Sequence, residues 1–150
     1  MNGIRSVFKT TFQSWLKQNV PDILCLQEIK AESSELGSEF TEIEGYYAYF
    51  NSGLRKGHAG VAVYTKAKPL LVETKLGIER FDDEGRCLKL TFKEFTLFNF
   101  YIPNGARDKS TMGYKLDVYS KLFPIFTSLA AEPTILTGDF NIAHTEMDLA

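Results

Sequence analysis

Two stretches of the chain carry apolar side chains at the spacing of an amphipathic helix. Residues 5–19, RSVFKTTFQSWLKQN, and residues 114–129 both repeat their apolar positions in this way. Pro21 is predicted to end the first helix. Pro124 is predicted to kink or break the second, because proline lacks a backbone donor and its ring clashes with the preceding turn.

Six shorter runs have the apolar or alternating pattern of strands. They are DILCLQ, YYAYFN, VAVYT, RCLKLTF, FTLFNFYI and PTILTGD. YYAYFN and VAVYT flank a glycine-rich loop, which predicts a hairpin with a long connection. FTLFNFYI is apolar on both faces, as a central strand is, so its sheet needs helices on one side and a second sheet on the other. This order of helices and strands predicts a layered α/β domain.

The composition changes this picture only by excluding some classes of protein. The chain has 150 residues, of which 44% are hydrophobic and 24% charged, which fits one globular domain. A net charge of −2 gives no overall attraction to nucleic acid or anionic membrane, so DNA contacts would depend on a local patch. Cys25 and Cys87 are predicted to be reduced core thiols, and no apolar run is long enough for a membrane span.

Polar side chains stand at the ends of three predicted strands. Glu28 follows ILCLQ, Tyr101 and Asn104 follow FNF, and Asp139 and Asn141 follow TILTG. Asp139 and Asn141 point the same way because strand side chains alternate. Carboxylates suit a hard cation such as Mg²⁺, which can neutralise a phosphate and activate a water. Taken singly, a Gly-Asp after a strand is more typical of a turn, and a Gln-Glu at a strand end is more typical of a solvated exit.

Six motifs occur in one order along nearly the whole chain: NGIR, LQEIK, GHAGVAVYTK, EGR, YIPNG and GDFNIAHTEMDL. With them the sequence closely resembles the exonuclease III family of AP endonucleases, within the endonuclease/exonuclease/phosphatase superfamily. The resemblance implies the α/β sandwich of that superfamily, here roughly its first half, with a mixed sheet and helices on one face. It also implies metal-dependent phosphodiester hydrolysis in DNA repair, at abasic sites in duplex DNA, with 3′–5′ exonuclease and 3′-phosphatase activity as further options.

The resemblance assigns catalytic and metal-binding roles to individual residues. Glu28 resembles the metal-binding glutamate of the family, and Tyr101 its active-site tyrosine, aimed at the scissile phosphate. Asp139 resembles the aspartate that orients or deprotonates the attacking water, and Asn141 the neighbour that contacts phosphate or water. The implied cofactor is Mg²⁺ or Mn²⁺, held by Glu28 and Asp139 with Asn141 as a third candidate. Asn2 is a further metal candidate because some members carry a supporting acid there.

Basic and amide side chains near these motifs match positions that contact DNA in the family. The candidates are Arg5, Lys30, Arg86, Asn104 and Arg107. Clustered on one rim, such residues would hold phosphates through salt-sensitive contacts. The implied partner is double-stranded DNA with abasic sites or 3′ ends. No membrane partner is expected, and the complete enzyme is expected to be a monomer in the cytoplasm or, in a eukaryote, the nucleus.

The family's pattern also contains parts that are not found in residues 1–150. An active-site Asn expected before Asn2 is missing, as are a second aspartate and a Ser-Asp-His segment of the later half. The sequence therefore predicts a single, truncated domain whose partner sheet lies outside it and which has little activity alone. Two alternatives stay open: another phosphoesterase of the superfamily, and an inactive DNA-binding or interaction fragment.

Overall fold

The computed structural model describes residues 3–8, 12–105, 108–143 and 145. The helices are α1 Ile4–Phe8, α2 Phe12–Asn19, α3 Ser38–Thr41, α4 Glu79–Asp83 and α5 Met112–Ser128, with a 3-10 turn at Ser33–Glu35. The strands are β1 Ile23–Gln27, β2 Tyr47–Asn51, β3 Val61–Thr65, β4 Leu71–Glu73, β5 Cys87–Thr91, β6 Thr96–Tyr101 and β7 Thr134–Asp139. The two predicted helical stretches correspond to α1 with α2 and to α5, and the six predicted strands to all but β4.

The described strands form two sheets. The first has the order β1-β3-β2 and is antiparallel throughout, which confirms the predicted hairpin of β2 and β3. The second has the order β4-β5-β6-β7 and is mixed, because β6 and β7 run parallel while the other pairs are antiparallel. The parallel pair is connected through α5, as a crossover requires.

β3 shows how alternating side chains serve two layers at once. Val61 and Val63 pack against strands of the second sheet, whereas Ala62 and Tyr64 pack with the residues of α1 and α2. All four side chains are fully buried. A strand that is apolar on both faces is therefore buried between a sheet and a helix layer, as its sequence predicts.

β6 occupies the equivalent place in the second sheet. Leu97 and Tyr101 face the first sheet, while Phe98 and Phe100 pack with Val118 and other residues of α5. The layers are therefore helices, sheet, sheet and helix. This arrangement confirms the layered α/β sandwich. The expectation that the partner sheet lies outside the chain is wrong, because β1, β2 and β3 form that sheet. A strand that is apolar on both faces indicates that a partner sheet exists, but not which strands form it.

β4 and α4 were missed at the sequence level because they are too short to show a period. β4 has three residues and α4 has five. A local side chain explains α4: Asp82 accepts hydrogen bonds from the backbone N–H groups of Leu76, Gly77 and Ile78 at 2.8–2.9 Å. These bonds satisfy donors just before the helix that its own backbone cannot reach.

α5 continues through Pro124, so the predicted break is wrong. Proline leaves the carbonyl four residues earlier, that of Ser120, without its helical donor. Pro124 and Ser120 both lie on the exposed side of the helix, where water can serve that carbonyl. Among the described residues, no helix has both the length and the apolar character to cross a membrane.

Candidate active site

Three strands from both sheets end at the same place in the sandwich. Tyr101 at the end of β6 and Asp139 at the end of β7 are register partners in the parallel pair. Glu28 follows β1 of the other sheet, and its carboxylate lies near enough to Tyr101 to raise the pKa of that hydroxyl. The structure thus brings Glu28, Tyr101 and Asp139 together, although the two carboxylates come from different sheets. The direct approach of the Glu28 and Asp139 carboxylates to one another stays a prediction.

Tyr101 is the buried centre of this group, with 9% of its surface exposed. Burial raises the pKa of its hydroxyl, and the Glu28 and Asp139 carboxylates raise it further, while Arg86 acts in the opposite direction. A raised pKa keeps the hydroxyl protonated at neutral pH, because tyrosine ordinarily ionises only near pH 10. Tyr101 is therefore a hydrogen-bond donor in this site rather than an anionic nucleophile.

Arg86 lies under Tyr101 and is 6% exposed. Its guanidinium is 4.7 Å from the centre of the Tyr101 ring and donates to the Tyr101 carbonyl oxygen at 3.0 Å. The Tyr101 N–H in turn donates to the Arg86 carbonyl at 2.8 Å. The structure buries Arg86 rather than placing it on an open rim, so its expected position there is wrong. A DNA contact from Arg86 stays a prediction.

Glu84 fixes the Arg86 side chain from the other side. Its carboxylate accepts from Arg86 Nε at 2.5 Å, from Arg80 Nε at 2.9 Å and from the Tyr114 hydroxyl at 3.0 Å. Burial opposes the ionised form of Glu84, but the hydrogen bonds from Arg86 and Arg80 outweigh it and lower the pKa of that carboxyl. Glu84 was not identified from the sequence, where the one signal for its role was its position two residues before Arg86 in EGR.

The segment after β7 is held by its own side chains. The Asn141 N–H donates to Asp139 Oδ1 at 2.9 Å, and the Asn141 amide nitrogen donates to the Ile102 carbonyl at 2.8 Å. Asn141 has a left-handed backbone, with φ of 51°, which asparagine tolerates better than most residues. These bonds orient the Asp139 carboxylate and leave the Asn141 amide oxygen to face water or metal, and the second N–H of the amide as a donor for phosphate.

α5 supplies two further donors to this segment, and sequence reasoning missed both. The Lys115 ammonium donates to the Asn141 carbonyl, and the Tyr119 hydroxyl donates to the Phe140 carbonyl at 2.5 Å. Burial raises the pKa of Tyr119 to about 12, and the Asp139 carboxylate contributes to that rise. Lys115 and Tyr119 are one helical turn apart, but no local pattern relates them to residues more than 20 positions later.

Glu28 and Lys30 lie on a backbone that few residues adopt. Both have a left-handed φ, of 59° and 49°, which is uncommon for residues other than glycine and clusters at functional sites. Between them, the Ile29 N–H donates to the Gly60 carbonyl at 3.1 Å. The turn brings Lys30 Nζ to 3.0 Å from Glu28 Oε1. Surrounding hydrogen bonds therefore hold Glu28 beside Tyr101 in a conformation with a local cost.

The donor atoms of the site fit a hard cation. Glu28 and Asp139 offer carboxylate oxygens at the edge of the site, and the side chain of Glu28 is 30% exposed. Within the described ranges, no three His, Cys, Asp or Glu side chains are grouped closely enough to hold a metal ion. A cation that keeps several waters and needs one or two carboxylates, such as Mg²⁺, suits such a set.

The DNA-binding candidates lie in different settings. Arg5 and Asn104 are exposed, and Lys30 is half-buried in its ion pair with Glu28. The Asn104 carbonyl accepts from the Thr111 hydroxyl at 2.8 Å, which ties the segment after β6 to the start of α5. Asn2 and Arg107 lie outside the described residues. DNA contacts by all of these side chains stay predictions.

Comparison with known proteins places this geometry in a family. The model of the "Endonuclease/Exonuclease/phosphatase family" matches residues 2–150. The chain belongs to this family. It is 36% identical over 151 residues to the exodeoxyribonuclease of Bacillus subtilis, covering 99% of this chain and 59% of that protein. The resemblance to exonuclease III-type AP endonucleases is thereby confirmed.

Two solved structures of this endonuclease/exonuclease/phosphatase group have the same fold. An AP endonuclease from Archaeoglobus fulgidus superposes with a TM-score of 0.83 at 31% identity, over 97% of this chain and 56% of that one. The Neisseria 3′-phosphatase NExo, bound to a product DNA hairpin, gives a TM-score of 0.82 at 26% identity, over 97% and 56%. The chain thus spans little more than half the length of these relatives.

Proposed function

We propose that the protein hydrolyses phosphodiester bonds in DNA with the help of a divalent cation, and that it cleaves duplex DNA at abasic sites in DNA repair. The observation that carries this proposal is the meeting of Glu28, Tyr101 and Asp139 at one end of the sandwich. Relatives that are named exodeoxyribonuclease, AP endonuclease and 3′-phosphatase support it. Exonuclease and phosphatase activity at 3′ ends are therefore included as secondary reactions.

In this proposal Asp139 is the general base. Its carboxylate takes a proton from a water, the water oxygen forms a bond to phosphorus, and one bond from phosphorus to a deoxyribose oxygen breaks. The released deoxyribose oxygen takes up a proton from solvent and leaves as a hydroxyl group. The Asn141 N–H at 2.9 Å fixes one carboxylate oxygen, which leaves the other to face the water. A base that is within hydrogen-bond reach of its water contributes roughly 10²–10⁴-fold to such a step.

The remaining site residues stabilise charge. Mg²⁺ or Mn²⁺, held by Glu28 and Asp139, would neutralise the phosphate as negative charge builds up. The Tyr101 hydroxyl, kept protonated by its raised pKa, donates a hydrogen bond to a phosphate oxygen. Asn141 donates to the phosphate through its second amide N–H, or accepts from the water through its amide oxygen. Asn2 is a supporting residue for the cation in the same proposal.

DNA binding in this proposal comes from a rim of side chains around the site. Arg5, Lys30, Asn104 and Arg107 contact the backbone of double-stranded DNA at abasic sites or 3′ ends. Arg86 acts mainly through Tyr101, because it is buried beneath that ring. Phosphate contacts of this kind carry no sequence preference and weaken as salt is added. We further propose that the whole enzyme acts as a monomer.

The test is cleavage of three labelled duplexes by the chain and by the longest natural form that contains it. One duplex carries a single abasic site, one a 3′-phosphate, and one is intact. We expect Mg²⁺-dependent incision at the abasic site, removed by EDTA and restored by Mn²⁺. Cleavage of neither modified duplex, with DNA binding retained, would favour an inactive DNA-binding protein. Hydrolysis of a non-DNA phosphodiester in place of both would favour another phosphoesterase of the family.

A further inference from the structure

One buried polar side chain is not used in the chemistry above. Asn99 lies in the middle of β6, is fully buried, and sits between Leu97 and Tyr101 on the face that meets the first sheet. Burying a carboxamide among apolar side chains is costly unless its donors and acceptor are all hydrogen-bonded. The partners of Asn99 therefore indicate why a polar residue occupies this place.

Among the described residues, the hydrogen bonds of the Asn99 side chain all cross to the other sheet. Its amide nitrogen donates to the carbonyl of Leu26 at 3.1 Å and to that of Ala62 at 3.0 Å. Its amide oxygen accepts from Gln27 Nε2 at 2.7 Å. Leu26 and Ala62 are themselves register partners in β1 and β3. Asn99 thus joins β6 to two strands of the first sheet, and its orientation is fixed because both ends of the amide are bonded.

This bridge lies directly below the candidate active site. Gln27 precedes Glu28, and Asn99 precedes Tyr101 by two residues on the same face of β6. Glu28 directly follows Gln27, and its carboxylate lies near enough to the Tyr101 hydroxyl to raise its pKa. Apolar contacts are non-directional, so by themselves they allow two sheets to pack with several relative offsets. A buried amide whose hydrogen bonds are all made is compatible with only one of these offsets.

We propose that Asn99 and Gln27 are positioning residues that set the offset of the two sheets, so that Glu28 reaches Tyr101. The importance of this offset for catalysis rests on the proposed function, but the geometric statement does not. Without the bridge, the two sheets stay packed through their apolar side chains. The end of β1 then moves relative to β6, and Glu28 moves away from the Tyr101 hydroxyl.

The test uses NMR of the ring carbons of Tyr101, assigned with Tyr101→Phe, and needs neither DNA nor metal. In the parent chain, Glu28→Gln should shift these resonances because it removes a carboxylate charge near the hydroxyl. In Asn99→Leu, which keeps the branching of the side chain but has no polar group, the same Glu28→Gln change should have no effect. Leu97→Ala is the matched control: it opens a cavity on the same face of β6 without touching the bridge, so the response should persist.

Gln27→Leu is the second variant, since Gln27 is only half-buried and its loss is less disruptive. It should reduce the response of Tyr101, and it decides the question if Asn99→Leu does not fold. A full response in the folded Asn99→Leu chain, or in Gln27→Leu when Asn99→Leu is unfolded, overturns the proposal. An absent abasic-site activity with the predicted NMR pattern would overturn the proposed function and leave the positioning role intact.

Discussion

Tyr101 shows how neighbours define the chemistry of one residue. Its ring lies against the Arg86 guanidinium, and its backbone N–H donates to the Arg86 carbonyl. The Glu28 carboxylate lies near its hydroxyl and raises the pKa of that hydroxyl. Arg86 is held in place by Glu84, which also binds Arg80 and Tyr114. A buried ion pair of this kind adds orientation to the site, and breaking it by removing one partner is costly.

Glu84→Gln tests this support by its pH dependence. The pKa of Glu84 is lowered in the folded chain, so its contribution is present above its unfolded pKa, near 4.3, and is lost as pH falls through the folded value. We expect the substitution to lower the free energy of unfolding by about 1–3 kcal/mol at pH 7. The difference from the parent should shrink below pH 4, as measured by urea unfolding.

Glu44→Gln provides the control for this experiment, because Glu44 is exposed. Its free energy of unfolding should follow that of the parent at both pH values. An equal loss for Glu84→Gln at pH 7 and pH 3 would mean that the carboxylate charge does not support Arg86.

At the scale of elements, α5 positions the segment after β7. Val118 and Leu122 pack under β6, while Lys115 and Tyr119 reach the carbonyls of Asn141 and Phe140. The helix thereby links the strand that carries Tyr101 to the segment that follows Asp139. The residues that make this link all precede Pro124, where proline weakens the helix.

Pro124→Ala should therefore stabilise the chain. The substitution restores a backbone N–H that can donate to the Ser120 carbonyl. Removing an interior proline is worth up to about 3 kcal/mol, reduced by about 0.4–1 kcal/mol for the freer unfolded chain. We expect a net gain of about 1–2.5 kcal/mol in chemical unfolding. Pro133→Ala, just before β7, has no helical bond to gain and should not stabilise. A gain shared by both substitutions would contradict this explanation.

The sequence predicted elements better than their assembly. Strands such as FTLFNFYI can be recognised because their side chains are apolar on both faces. Glu28, Tyr101 and Asp139 can be recognised as polar residues at strand ends. The sheet that packs against β6 could not be predicted, because the pairing of its strands depends on residues far apart in sequence. Lys115 and Tyr119 escaped detection for the same reason, and β4 is too short to show a pattern.

At the scale of the whole molecule, the edge strands of the two described sheets are β1, β2, β4 and β7. β1 and β7 are the edges that lie against one another across the two sheets. Ile135 and Leu136 of β7 are 47% and 39% exposed. Exposed, apolar edge strands are templates for pairing with another chain.

We expect the isolated chain to self-associate through the β7 edge. Ile135→Lys should reduce this association because a charged residue on an edge strand opposes further pairing. Leu54→Lys is the matched control, since Leu54 is 81% exposed but lies in a loop. Sedimentation velocity over a range of concentrations measures the effect. Equal association of the parent and both variants would assign the contact to another surface.

The proposed hydrolysis depends most on Asp139 as its general base, and Asp139→Asn tests this role directly. The measurement is abasic-site cleavage, together with duplex binding, by the longest natural form that contains the chain. An amide keeps the hydrogen bond from the Asn141 N–H but cannot take a proton from water. We expect cleavage to fall by roughly 10²–10⁴-fold while the fold and DNA affinity are kept. Cleavage near the parent rate by Asp139→Asn would contradict the account.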